Sequence, residues 1–267
     1  MSALALGLAL AAAFLHAVWN LLLRGTRDPE AATAVAVLTF VVVLAPVAAV
    51  TWDVEAGVWR YVVPSGLLEL AYVALLAAAY RRFELSVVYP VARGAAPVAA
   101  LVISVAVVGS AISAAEAIGV LVVAAGVLLV RGAQGRHGVA LGLLIASVIG
   151  GYTVIDRYGI RHADAPSYAM LVMIASAVVY PPFVGARRVR GAASPTTVAV
   201  GVLSAAAYLL VLLALRHASA PAVAAVRETG VVIATALAAI FLHERVTRVR
   251  LVGAVAVVAG VAVLAAA

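Results

Sequence analysis

The chain has 267 residues, of which 67% are hydrophobic and only 11% charged, with a mean hydropathy of +1.20 and a formal net charge of +7. A composition this apolar excludes an ordinary water-soluble domain. The lack of cysteine excludes a disulfide framework, a thiolate nucleophile and cysteine-based metal or redox chemistry.

A membrane-crossing helix needs roughly 20 apolar residues, so about ten of them fill the chain and leave no room for a second, soluble domain. Apolar runs predict helices over 2–23, 31–51, 61–80, 86–108, 113–131, 139–158, 165–186, 196–216, 218–242 and 247–267. The expected fold class is an all-α integral membrane protein with ten transmembrane helices. Residues 1–14 lack the basic start of a signal sequence and the apolar run continues past His16, so a retained first helix is expected.

A charge at the bilayer centre costs about 2.5–3.5 kcal/mol on insertion scales, so polar groups inside these helices are the functional candidates. In helix 1, His16 and Asn20 lie one turn apart with Trp19 alongside. Such a group lines a cavity or bonds a neighbouring helix. In helix 3, Glu69 sits near the middle, with Ser65 four residues before it and Tyr72 three residues after it on one face. A carboxyl group held in a low-dielectric span suits proton coupling; the alternative is a structural pair with an arginine.

Helix 4 carries Ser86, Arg93, Pro97 and Ser104 on a stripe, with Tyr89 and Pro90 beside it. Each proline frees a carbonyl that needs a partner in protein or a water-filled cavity. Arg93 presents five donors suited to a carboxylate or phosphate, unless it snorkels to the interface. Helix 6 offers Tyr152 and Thr153, and helix 8 offers Ser204 and Tyr208, as cavity-lining or interface groups. Tyr180, Pro181 and Pro182 read as a helix stop and interface anchor. Helix 9 holds Arg227 next to Glu228, while the paired glycines Gly119 and Gly126 in helix 5, and Gly253 and Gly260 in helix 10, suit close packing.

All eighteen basic residues are Arg. Twelve fall in loops after odd-numbered helices (Arg24, Arg27, Arg81, Arg82, Arg131, Arg136, Arg187, Arg188, Arg190, Arg245, Arg248 and Arg250) and four (Arg60, Arg157, Arg161 and Arg216) on the other side. The positive-inside rule then sets both termini outside.

The sequence also overlays on itself. Shifting 80–132 by 134 positions lays it on 214–266 without a gap, pairing Arg82 with Arg216, Arg93 with Arg227, Gly119 with Gly253 and Gly126 with Gly260. Two repeats result, 1–132 and 133–267, each of five helices. An odd number of helices inverts the second repeat relative to the first, an architecture whose substrate site lies near the midplane between the halves.

The ending Leu242-His243-Glu244-Arg245-Val246-Thr247, followed by Gly253 and Gly260, resembles the terminal signature of EamA-type members of the drug/metabolite transporter superfamily. Tyr152-Thr153-Val154-Ile155-Asp156-Arg157 resembles the start of that family's second repeat, and His16-Ala17-Val18-Trp19-Asn20 a first-helix pattern of some members. Ser110 departs from the pattern by standing where Glu244 stands in the second repeat. The resemblance implies cytoplasmic termini, opposite to the arginine count, and implies that helices 5 and 10 stand outside the substrate core.

The function expected is therefore a secondary transporter, an exporter of small organic metabolites with an anionic or zwitterionic group, working by alternating access with or without proton coupling. Expected substrate-binding residues are Arg93, Arg227, Glu69, Glu228, His16, Trp19, Asn20, Tyr72, Tyr89, Tyr152 and Tyr208. The rival is a lipid flippase or an enzyme acting on an anionic lipid headgroup; an enzyme would gather its polar residues at one membrane face. His137, His162, His217 and His243 show no metal-ligand spacing, no cofactor is expected, and the arginine loops lack the aromatic platform that nucleic acid requires. The expected setting is a cell membrane, of the bacterial inner or plasma type, with the chain as monomer or homodimer.

Overall fold

The computed structural model describes all residues except 83–84, 132–137 and 242–246, and leaves aside the side chains of 77–82, 85–87, 89–90, 131, 234 and 237–241. Tyr89 and the His243–Glu244 portion of the terminal motif therefore lie outside the described side chains.

The described residues form helices α1 (Ala3–Arg24), α2 (Pro29–Thr51), α3 (Trp59–Arg82), α4 (Leu85–Ala106), α5 (Ala114–Arg131), α6 (Val139–Gly159), α7 (Ala165–Val184), α8 (Ala186–Ala192), α9 (Pro195–His217), α10 (Ala220–Arg227), α11 (Thr229–Phe241) and α12 (Arg248–Ala266). Polar residues mark their starts. Asp28, Asp164, Ser194 and Ser219 each accept a hydrogen bond from a backbone N–H in the first turn, with proline in the first or second helical position. Six helices (α1, α2, α6, α7, α9 and α12) are long and apolar enough to cross a membrane. Of the other expected spans, α4 and α5 hold shorter apolar stretches, Val91–Ala106 and Ala114–Val130.

Three expectations are corrected. The helix expected over 218–242 is two helices, because the chain breaks at Glu228. There the Glu228 N–H donates to the Ala225 carbonyl and the Val231 N–H to the Glu228 carbonyl, three-residue turns in place of the regular ladder. Tyr180 is no interface anchor: α7 ends at Val184, two residues past Pro182, and Tyr180 is buried in a cluster with Ala31, Ala34 and Val73. Gly185, at φ +100°, then turns the chain into the short α8, so the arginines at 187, 188 and 190 stand on a helix and not in an irregular loop.

Helix packing joins the chain's two halves. α1 packs on α9, α10 and α11, α2 on α7 and α9, α3 on α6 and α7, α4 on α6 and α10, and α5 on α12. The α5–α12 seam rests on the expected glycines. A methyl group on Gly126 would fall 2.7 Å from the Gly253 carbonyl oxygen, and one on Gly253 would fall 2.7 Å from that of Gly126. Only hydrogen lets the two backbones approach so closely.

Candidate functional site

Among the described residues four charged side chains are buried: Glu69, Arg93, Asp156 and Glu228, with relative exposures of 4%, 5%, 1% and 2%. They come from α3, α4, α6 and the α10–α11 break, so both halves of the chain contribute. α4 delivers Arg93 and the break delivers Glu228, and they form an ion pair with Nη2 2.9 Å from Oε1. A pair this deep holds only because each charge answers the other; removing one partner strands the second in a low dielectric.

Asp156 is held differently. Its Oδ1 accepts hydrogen bonds from the Ser65 hydroxyl at 2.5 Å and the Tyr168 hydroxyl at 2.9 Å, and its Oδ2 accepts one from the Tyr208 hydroxyl at 2.7 Å. The donors stand on α3, α7 and α9, so one carboxylate ties four helices together. Each hydroxyl points a dipole at the negative charge, as an ionised carboxylate in a buried site requires. Arg227, half-buried at the end of α10, acts electrostatically on both Glu69 and Asp156.

Aromatic rings wall this group. Tyr72 and Tyr152 meet edge to face with centroids 6.3 Å apart, and Phe40 lies 6.0 Å from Tyr208. Tyr72 and Tyr152 share an apolar cluster with Val88 and Ala92 of α4 and Ile149 of α6. Glu69, Arg227, Asp156, Tyr152 and Tyr208 are thus one neighbourhood, next to the Arg93–Glu228 pair.

His16, Trp19 and Asn20 form a second group on the last turns of α1. The His16 and Trp19 rings meet edge to face at 4.7 Å, and the Asn20 amide donates to the His16 carbonyl at 2.7 Å. Thr153 and Ser204 spend their hydroxyls on their own helices, donating to the Ile149 and Gly201 carbonyls.

Asp156, Tyr168 and the role of Ser65 are absent from the residues chosen by sequence. Asp156 lies two residues before the expected end of its helix, where an acid reads as a group at headgroup level. Ser65 of α3, Tyr168 of α7 and Tyr208 of α9 close around it instead, and it is buried. The spacing Tyr152–Asp156, one helical turn, sets the acid on the same helix face as the expected site residue Tyr152.

Among the described residues no group of three or more His, Cys, Asp or Glu side chains is set to hold a metal. The arrangement offers instead fixed charges of both signs beside aromatic walls, suited to binding a small charged molecule.

Residues 136–266 match the EamA-like transporter family. A crystal structure of another protein superposes with a TM-score of 0.76 at 17% identity, covering 97% of this chain and 96% of that one. No curated protein matches the sequence.

Proposed function

We propose, from the match of residues 136–266 to the EamA-like transporter family, that the chain is a secondary transporter exporting small organic metabolites by alternating access. Its ten membrane helices form two inverted five-helix repeats, 1–132 and 133–267, with α10 and α11 together as the ninth. The protein acts in a cell membrane of the bacterial inner or plasma type, as monomer or homodimer, and carries out no catalysis.

The helix contacts support the repeat. Exchanging α1 with α6, α2 with α7, α3 with α9, α4 with α10–α11 and α5 with α12 turns α3·α6 into α9·α1, α4·α6 into α10·α1, α3·α7 into α9·α2 and α4·α5 into α11·α12, all of which are packed pairs. Two tight crossings obey the same exchange. A methyl on Gly66 would fall 2.9 Å from the Val172 carbonyl oxygen, and one on Gly201 would fall 2.7 Å from that of Ala36. The glycines differ by 201 − 66 = 135 positions and their partners by 172 − 36 = 136, close to the 134 of the sequence overlay.

The observation that carries the reading is the buried ion pair between Arg93 of the first half and Glu228 of the second. Charges contributed from both halves near the helix midpoints are what an alternating-access carrier needs and what an enzyme confined to one face does not. The formal inventory of Glu69, Asp156 and Glu228 against Arg93 and Arg227 leaves one excess negative charge. That balance favours a zwitterion over a pure anion: Arg227 takes the substrate's anionic group and Glu69 its ammonium, or a proton in its place.

Uptake of amino acids, organic acids and amines into proteoliposomes tests this reading. Zwitterions are expected to be carried, with Arg227→Lys raising KM about tenfold through loss of bidentate geometry, and Glu69→Gln abolishing pH dependence. Parental kinetics in Arg227→Lys overturn the assignment of that residue, and preference for organic acids overturns the zwitterion.

A further inference from the structure

One face of the molecule is closed by loops that pair the chain's halves. The segment after α2 and the segment after α6 run antiparallel. The Glu55 N–H donates to the His162 carbonyl and the Asp164 N–H to the Asp53 carbonyl, both at 2.9 Å, with Val54 opposite Ala163. The Asp164 carboxylate, which caps α7, also accepts from the Thr51 hydroxyl at 2.9 Å and from the Asp53 N–H at 3.0 Å. The His162 ring stacks on Tyr61 and brings Nδ1 to 2.5 Å from the Glu55 carboxylate. From the end of α9, Arg216 donates to the Ile160 and Ala163 carbonyls at 3.2 and 2.7 Å.

The pairing rests on material suited to reversal. Glu55 is exposed, and a solvent-exposed contact of this kind contributes little to stability. Val58 and Ile160 of these segments are buried, as is Val62, one turn past Val58 in α3. The closure also connects to the charged site. Tyr168 lies one turn beyond Asp164, donates its N–H to the Asp164 carbonyl, and donates its hydroxyl to Asp156. Movement of the α7 cap therefore moves a donor of the buried carboxylate.

We propose that segments 52–58 and 160–165 are the gate on this face of the transport path, opened by unzipping the Val54–Ala163 pairing and linked through Tyr168 to Asp156. The proposal rests on the alternating-access reading above and deepens it.

A cysteine-free chain permits a direct test by thiol chemistry. Val62→Cys puts a reporter beneath the gate, and its labelling by a membrane-impermeant methanethiosulfonate added to this face is timed. His162→Ala with Asp164→Asn, which keeps a capping side chain on α7, should speed labelling about tenfold, the change that a loss of roughly 1.4 kcal/mol in closure gives. Tyr168→Phe should speed it less. Unchanged labelling in the double variant overturns the gate, and unchanged labelling in Tyr168→Phe overturns the link.

Cross-linking tests closure from the other side. Opposed residues flanked by ladder bonds lie with Cα atoms about 4.5 Å apart, within the span of a disulfide. Oxidised Val54→Cys/Ala163→Cys should therefore stop transport without lowering the thermal midpoint, and continued transport through the cross-linked protein overturns the gate. Labelling needs no substrate, so the two readings fail separately. A gate that opens in a protein carrying nothing leaves this inference and removes the transporter.

Discussion

The α5–α12 seam and the buried charge cluster both join the first half of the chain to the second, by opposite means. At the seam nothing polar is exchanged: glycines at 126 and 253 let backbone meet backbone, and the contact is dispersion over a rigid surface. In the cluster, Arg93 meets Glu228 and three hydroxyls meet Asp156, so attachment depends on charge being answered by charge or dipole. A seam of this kind tolerates no added atom and has one arrangement. A cluster of charges can exchange partners. Under the proposed function, the seam is scaffold and the cluster is where binding is coupled to movement.

The comparison breaks most sharply at the ion pair. Arg93→Ala leaves Glu228 buried without its cation and should cost about 3–5 kcal/mol, seen as a lowered thermal midpoint in detergent. Arg93→Met with Glu228→Leu should recover most of that loss yet carry no substrate, which separates the pair's structural role from its functional one. A parental midpoint in Arg93→Ala would show that the pair bears no structural load.

At the seam, Gly126→Leu drives a side chain into the Gly253 backbone and should cost about 1–3 kcal/mol by overpacking. Here the folded fraction should keep parental substrate affinity, since the seam supplies no charge. A changed affinity would mean that α5 and α12 belong to the binding region after all.

The smallest effect is expected at the exposed pair on the opposite face from the gate. Arg188 donates to both Asp28 oxygens, at 2.9 and 2.8 Å, and these bonds hold the Asp28 carboxyl below its ordinary value of 3.8. A carboxyl depressed on folding contributes stability that is present above its unfolded value and is lost as pH falls through its folded value. Acid titration of the parent against Arg188→Gln should therefore show the parent losing a small advantage only below about pH 4, the ordinary carboxylate range. An advantage that persists undiminished below that range would assign it to packing.

Much of the fold was legible because the bilayer imposes simple rules. Long apolar runs, capping residues before proline and paired glycines each have one physical reading, and α1, α2, α6, α7, α9 and α12 follow it. The break at Glu228 was less legible, since periodicity alone does not distinguish a helix carrying a charged pair from one interrupted there. Glu69, Arg93 and Glu228 were visible as charges far from any helix end. Asp156 was hidden by its place near a terminus, and its surroundings come from α3, α7 and α9, which only the folded chain brings around it.

The amino-acid sequence by itself determined that this is a multi-pass helical membrane protein and which charges the membrane must accommodate, because hydropathy and the cost of an intramembrane charge are properties of residues taken one at a time. Only the tertiary structure decided that Arg93 pairs with Glu228, that Asp156 gathers hydroxyls from three other helices, and that residues 52–58 meet 160–165. Those are relations between residues far apart in the chain, and helix packing sets them.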